Sequence, residues 1–164
     1  MKNFDWSSFS RKIALKGTVQ LIYNAWTKSS ELEKWFLKTA LFYTNDDHLI
    51  GPKDSIAKGM HYKWTWYLYE GIGEGKITET NGKDLIQFTF AGECLVDVSL
   101  VQQAEYVIVK ITQKNIPTDD ESKKSIRLGC DSGWSFYLLN LKSFYESGVD
   151  LRNKNPDLKG MVNN

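Results

Sequence analysis

Between Thr118 and Gly148 the chain carries apolar residues at a helical period over a length that few small folds accommodate. Ile126, Cys130, Trp134, Leu138, Leu141 and Tyr145 recur at steps of three and four, and Tyr137 and Phe144 widen the same face. Ser135, Lys142, Ser143, Glu146 and Ser147 fall on the opposite side, so the predicted helix has one dry and one wet flank. Thr118 with Glu121 reads as a capping box. Asp119 and Asp120 put negative charge where the backbone dipole favours it, and Gly148 supplies a stop. At about 1.5 Å per residue such a helix runs for roughly 43 Å. A rod of that length with an aromatic face requires a wide apolar partner.

The rest of the chain supplies a sheet. After Gly59 the period changes to two and stays there for about fifty residues. Tyr62, Trp64, Trp66 and Leu68 alternate with Lys63, Thr65, Tyr67 and Tyr69, and a Gly-rich run from Gly71 to Thr80 leads to the hairpin signal Asn81-Gly82. Leu85 to Phe90 sets Ile86, Phe88 and Phe90 against Gln87 and Thr89; Leu95–Val101 and Tyr106–Gln113 follow, joined by a turn at Gln102–Glu105. Half-wet strands with short connections predict antiparallel pairing, and Pro117 ends the sheet.

Upstream, Phe9–Leu15 reads as a first strand closed by Gly17. Thr18 caps a short helix bearing Val19, Ile22, Ala25 and Trp26, and a Ser30–Glu33 capping box opens a second bearing Leu32, Trp35 and Phe36. A strand at Leu41–Thr44 precedes turn-forming residues through Asp54, expected to be mobile. The order is that of an α+β fold: a curved antiparallel sheet of about six to seven strands wrapped around the last helix, with the two short helices at one end. Tyr62, Trp64, Trp66, Phe88, Phe90 and Trp134 would then line the space between.

The 164 residues, 41% hydrophobic and 25% charged, fit one domain over 1–164, with a core at 9–152 and a polar tail at 153–164 that wraps the surface or frays. Twenty-one basic against 20 acidic residues leave a net charge of +1, without the basic excess of a nucleic-acid binder. The segment Met1–Lys12 lacks the apolar run of a signal peptide, and no later run reaches membrane length; a cytoplasmic protein with no membrane insertion is expected, with Cys94 and Cys130 reduced.

Catalytic and metal chemistry find little support. His48 and His61 lack ligand spacing on one element, and Cys130 lies on an apolar helical face where a thiol packs as a small hydrophobe. Glu74 or Asp97 would act as a general base only if turned into the interior. Gly71, Gly73 and Gly75 alternate within a strand and suggest a bend, not a phosphate loop. No catalytic residue, metal or cofactor is expected. The aromatic set, Trp35, Tyr62, Trp64, Trp66, Phe88, Phe90, Trp134, Tyr137 and Tyr145 with Leu138 and Leu141, reads either as plain core or as the contact residues of a small molecule.

Asn24-Ala25-Trp26-Thr27, Leu32, Trp35-Phe36, the Gly71–Glu79 strand and Phe88-Thr89-Phe90, followed by Gly133-Trp134, Tyr137-Leu138, Leu141-Lys142 and Glu146-Ser147-Gly148, resemble the START-like (SRPBCC) superfamily from about Phe9 to Arg152. Within it the chain is most similar to the branch named for the activator of a heat-shock chaperone's ATPase. The resemblance implies the helix-grip fold of birch-pollen-allergen type, whose pocket takes lipids, polyketides or other apolar molecules in many relatives. In the eukaryotic activator such a domain accompanies a separate N-terminal chaperone-binding domain, for which 164 residues filled by one fold leave no room. The expected function is non-catalytic binding of an apolar or aromatic small molecule. The alternatives are a protein-interaction or chaperone-associated module using Phe4, Trp6 and Tyr69, and a cyclase- or hydrolase-type enzyme using Asp97, Glu74 or a buried Tyr.

Overall fold

Alternating apolar residues produce seven strands: β1 Phe9–Lys16, β2 Thr39–Tyr43, β3 His61–Thr65, β4 Gly73–Thr80, β5 Leu85–Thr89, β6 Leu95–Gln103 and β7 Tyr106–Lys114. The computed structural model describes residues 4–164, so the first three residues of the expected 1–164 domain lie outside the described residues. The strands form one antiparallel sheet in the order β1-β7-β6-β5-β4-β3-β2, which puts β1 and β2 at its two edges. A register shift in β4 between Ile77 and Glu79 sharpens the curl. Helices α1 (Val19–Thr27) and α2 (Ser29–Trp35) bridge β1 to β2. The C-terminal helix consists of α3 (Asp120–Ser122), a π-helical segment Lys123–Leu128 and α4 (Gly129–Ser147), closed by Gly148 at φ 72°. No helix among the described residues is long and apolar enough to cross a membrane.

Local signals were overridden where tertiary partners competed. Thr18 does cap α1, accepting the Leu21 N–H at 3.2 Å. The Ser30–Glu33 box does not form. Helix α2 starts at Ser29 with no side-chain cap; the Ser30 N–H goes to the Pro52 carbonyl at 2.9 Å, and Glu33 accepts the Ala40 N–H at 2.9 Å, where β2 begins. The Thr118–Glu121 box is likewise replaced by Asp119, which accepts the Ser122 N–H at 2.9 Å. The segment after β2 is tied to the body: Ile56 donates to the Thr27 carbonyl at 3.0 Å and Gly59 to that of Ile77 at 2.8 Å.

The wet flank of α4 lies along the open edge of β1. Lys142 Nζ donates to the Ala14 carbonyl at 2.9 Å, Lys16 N–H donates to Glu146 at 2.8 Å, and Arg11 reaches Asp131 and Ser135. The π turn inserts an extra residue, so Arg127 is buried while Ile126 is only half-buried. The Arg127 guanidinium stacks on Phe9 with its carbon 4.6 Å from the ring centroid and pairs with Asp131 at 2.9 Å.

At the other end, buried Asn140 ties three segments together. Its Nδ2 donates to the Trp35 carbonyl at 2.6 Å and to Asp150 at 3.1 Å, while its Oδ1 accepts the Leu151 N–H at 2.7 Å. The segment leading into the tail is tied down: Arg152 donates to the carbonyls of Leu37, Glu33 and Lys34 at 2.8 to 3.0 Å, capping the last turn of α2. Burial alone would raise the Asp150 pKa, but hydrogen bonds from Arg152, Lys154 and Asn140 outweigh it and hold the carboxyl well below 3.8.

Asn140→Ala leaves the Trp35 carbonyl and the Leu151 N–H without their partner, and a loss of about 2 kcal/mol or more is expected in urea unfolding, with an unchanged m-value. Asp150 has its pKa depressed by folding, so its contribution is complete above its ordinary value of 3.8 and disappears as pH falls below it. Stability of the wild type should therefore drop more steeply below about pH 4 than that of Asp150→Asn; parallel curves of urea midpoint against pH would refute this role.

Candidate ligand-binding cleft

Three local features leave space between sheet and helix. The first is a set of glycines on the inner face of the sheet. A Cβ on Gly75 would stand 2.5 Å from the Tyr62 hydroxyl and 2.7 Å from Thr89 Oγ1, and one on Gly73 would stand 2.7 Å from the Trp66 ring. These glycines let aromatic rings lie flat on β4, a packing role beyond the bend expected from the sequence. The second is the β3–β4 connection. Strand β3 ends at Thr65, so the expected alternation stops there; Leu68 takes φ 59° and is exposed, and Trp66, Tyr67 and Tyr69 form a rim. The third is the start of α4, where a Cβ on Gly129 or Gly133 would meet nothing within 4 Å.

These features enclose a cleft of about 460 Å³. Its sheet wall is Tyr62, Gly73, Phe90 and Ala91; its rim is Trp66, Tyr67, Leu68, Tyr69 and Ile72; its helix wall is Ser125, Gly129, Cys130, Gly133, Trp134 and Tyr137. Phe36 and the terminal Asn164 complete it, together with Glu74. The rings brace one another: Phe36 meets Tyr137 edge-on at 4.8 Å and Trp134 at 5.2 Å, and Phe90 meets Trp134 at 5.1 Å.

Of the aromatic and leucine positions singled out in the sequence, Tyr62, Trp66, Phe90, Trp134 and Tyr137 line the cleft. The others lie outside it. Trp35 is buried beneath α1, donating to the Ala25 carbonyl at 3.0 Å; Trp64 stacks on Tyr62 with centroids 3.7 Å apart; Phe88, Leu138 and Leu141 are core. Tyr145 donates to Glu31 at 2.7 Å and pins the end of α4 to α2. Gly129, Gly133 and Ser125 were not singled out as contacts, although two glycines four apart on the inner side of a helix are a legible signal, since each costs about 1 kcal/mol relative to alanine.

The carboxylates proposed as general bases are paired on the outer face, although Glu74 also borders the cleft. Lys63 and Glu74 are cross-strand neighbours on the outer face, 3.4 Å apart, and Glu74 is 64% exposed. Asp97 accepts from Gln87 and Lys114, both at 2.6 Å, on the outer face of β6. His61 pairs with Asp47 at 3.2 Å and stacks on Tyr43. Burial raises the thiol pKa of both Cys94 and Cys130, keeping them protonated. Among the polar groups of the cleft, the Tyr62 hydroxyl donates to the Thr89 carbonyl at 2.6 Å and Trp134 Nε1 to Gln113 at 2.9 Å. The Tyr137 hydroxyl has no partner among the described residues, and burial lifts its pKa to about 12.

A curved seven-stranded antiparallel sheet gripping a C-terminal helix, with a ring-lined cleft between them, defines a START-like (SRPBCC) domain. The family described as Activator of Hsp90 ATPase homolog 1-like protein matches residues 16–146, and the chain belongs to it. No curated protein matches in sequence. Among solved structures the fold is similar to that of a Staphylococcus saprophyticus protein, at 15% identity and TM-score 0.68 over 88% of this chain and 96% of that one. It is also similar to the Aha1 dimer from Colwellia psychrerythraea, at 21% and 0.65 over 86% and 97%. DynU16, from the dynemicin biosynthetic locus, shares the fold at 14% and 0.66 over 87% of this chain and 48% of that one.

Gly75→Ala should destabilise the fold by about 1–3 kcal/mol, because Tyr62 is buried and tied to Thr89 and cannot yield; an unchanged thermal midpoint would show that the ring does not need the glycine.

Proposed function

We propose that this START-like domain binds an apolar or aromatic small molecule in the cleft between the sheet and α4, without converting it. The observation that carries the reading is the unfilled space itself: about 460 Å³ walled by rings and by helix positions that lack side chains. A well-packed interior leaves few voids larger than a water molecule, and a cleft of this size suits a drug-sized ligand. The carboxylates that an enzyme would need are engaged on the outer face, so the lining offers contact and hydrogen bonding but no acid–base pair. The family membership and a structural neighbour from a biosynthetic locus agree with this use of the fold. A cytoplasmic setting, in which free thiols such as Cys94 and Cys130 stay reduced, goes with it.

A protein-docking role has less to rest on. Phe4 and Trp6 meet edge-on at 4.7 Å and lie under Arg127 and Lys123 at the start of the C-terminal helix. Tyr69 belongs to the rim of the cleft.

Protein purified from its own host should retain an organic ligand in native mass spectrometry, and Gly133→Leu, which projects a side chain into the cleft, should abolish that retention while remaining folded by circular dichroism. Retention undiminished in Gly133→Leu would overturn the assignment to this cleft.

A further inference from the structure

The charge of the lining bears on which ligand the cleft takes, an inference that rests on the small-molecule reading above. Among the described residues Glu74 is the only acidic or basic one in the lining, and its carboxylate is paired with Lys63 on the outer face of the sheet. The buried guanidinium of Arg152 stacks on the rim residue Tyr67, yet its donors are committed to Asp150 and to the carbonyls of Leu37, Glu33 and Lys34. Lys154, also over Tyr67, is paired with Asp150 at 2.9 Å. An ionised carboxylate entering this site would lose its water and find no counter-ion.

The neutral polar groups narrow the ligand further. Ser125 donates to the Glu121 carbonyl at 2.7 Å, and Tyr62 and Trp134 are satisfied within the protein. The Tyr137 hydroxyl and the Trp66 indole nitrogen have no partner among the described residues, and both are donors. Both stay open to water in the cleft, and a ligand that displaces this water keeps their hydrogen bonds only if it brings an acceptor. Shape adds a further constraint. The helix surface at Gly129 and Gly133 carries no side chain and the rings of Trp66 and Phe90 also line the cleft, which leaves room for a ring to lie against aromatic faces.

We infer that the cleft selects an uncharged ring compound carrying a carbonyl-type acceptor, received by the Tyr137 hydroxyl, and rejects ligands bearing an ionised carboxylate. Tyr137 is the specificity-determining residue of the site. Its ring is held edge-on by Phe36, so Tyr137→Phe removes the hydroxyl and leaves the wall in place.

The test titrates the full chain, Tyr137→Phe and Gly133→Leu with four probes: methylanthraquinone, its carboxylate analogue, methylanthracene and palmitate. Quenching of tryptophan fluorescence is the readout. The neutral quinone should bind about tenfold or more tightly than the carboxylate analogue, the hydrocarbon and palmitate. Tyr137→Phe should erase the preference for quinone over hydrocarbon while leaving hydrocarbon affinity unchanged. If the carboxylate analogue or palmitate binds as tightly as the neutral quinone and that binding is lost in Gly133→Leu, charge selection is wrong and the cleft reading stands. If quinone preference survives in Tyr137→Phe, the role of Tyr137 is wrong. If no probe binds, or binding ignores Gly133→Leu, the cleft reading itself falls.

Discussion

The edge of β1 against the polar flank of α4 is the contact on which the rest of the structure depends. An edge strand presents free N–H and C=O groups that would otherwise pair with another chain. Here Lys142 takes the Ala14 carbonyl, Glu146 takes the Lys16 N–H, and Arg11 bridges to Asp131. These contacts hang the helix from one side of the sheet. The opposite flank, with Gly129, Gly133 and Trp134, is thereby held across from β4 and the β3–β4 rim, and the space between cannot close without breaking the edge contacts.

A gap of that kind persists only if both walls are stiff. On the sheet side stiffness comes from rings that lock one another, with Phe36 touching Trp64, Trp66, Trp134 and Tyr137. On the helix side it comes from polar pins at the far end: Tyr145 on Glu31, and Asn140 on the Trp35 carbonyl and the tail. A site held open before the ligand arrives spares the ligand the cost of ordering it. The wall glycines sacrifice helix propensity for room, a local rule broken where the helix borders the cleft.

The same fold serves many purposes, so family membership alone does not say what this chain does. The chemistry of the lining is more restrictive. Rings and small residues wall the cleft, and the carboxylates of Asp97 and Glu74 are engaged on the outer face of the sheet.

What the sequence determined by itself is what periodicity and turn chemistry encode locally. The alternation of Ile86 and Phe88, the turn after Asn81 and the three-four spacing around Trp134 suffice to read an antiparallel sheet and a long helix, and the shared motifs then point to the grip between them. Only the tertiary structure decided which signals win and where space is left. Asn140 looks like an ordinary polar helix residue until Trp35, 105 positions away, brings its carbonyl; Arg152 looks like a surface charge just ahead of the polar tail until the end of α2 offers three carbonyls. Trp64 and Trp66 have the same place in the alternating pattern, yet one is core and the other lines the cleft, because β3 stops at Thr65 and the chain turns outward there. Side-chain spacing reports which face a residue takes. Whether that face meets another side chain or empty space depends on volumes contributed by segments far apart in the chain, and no local pattern carries that sum.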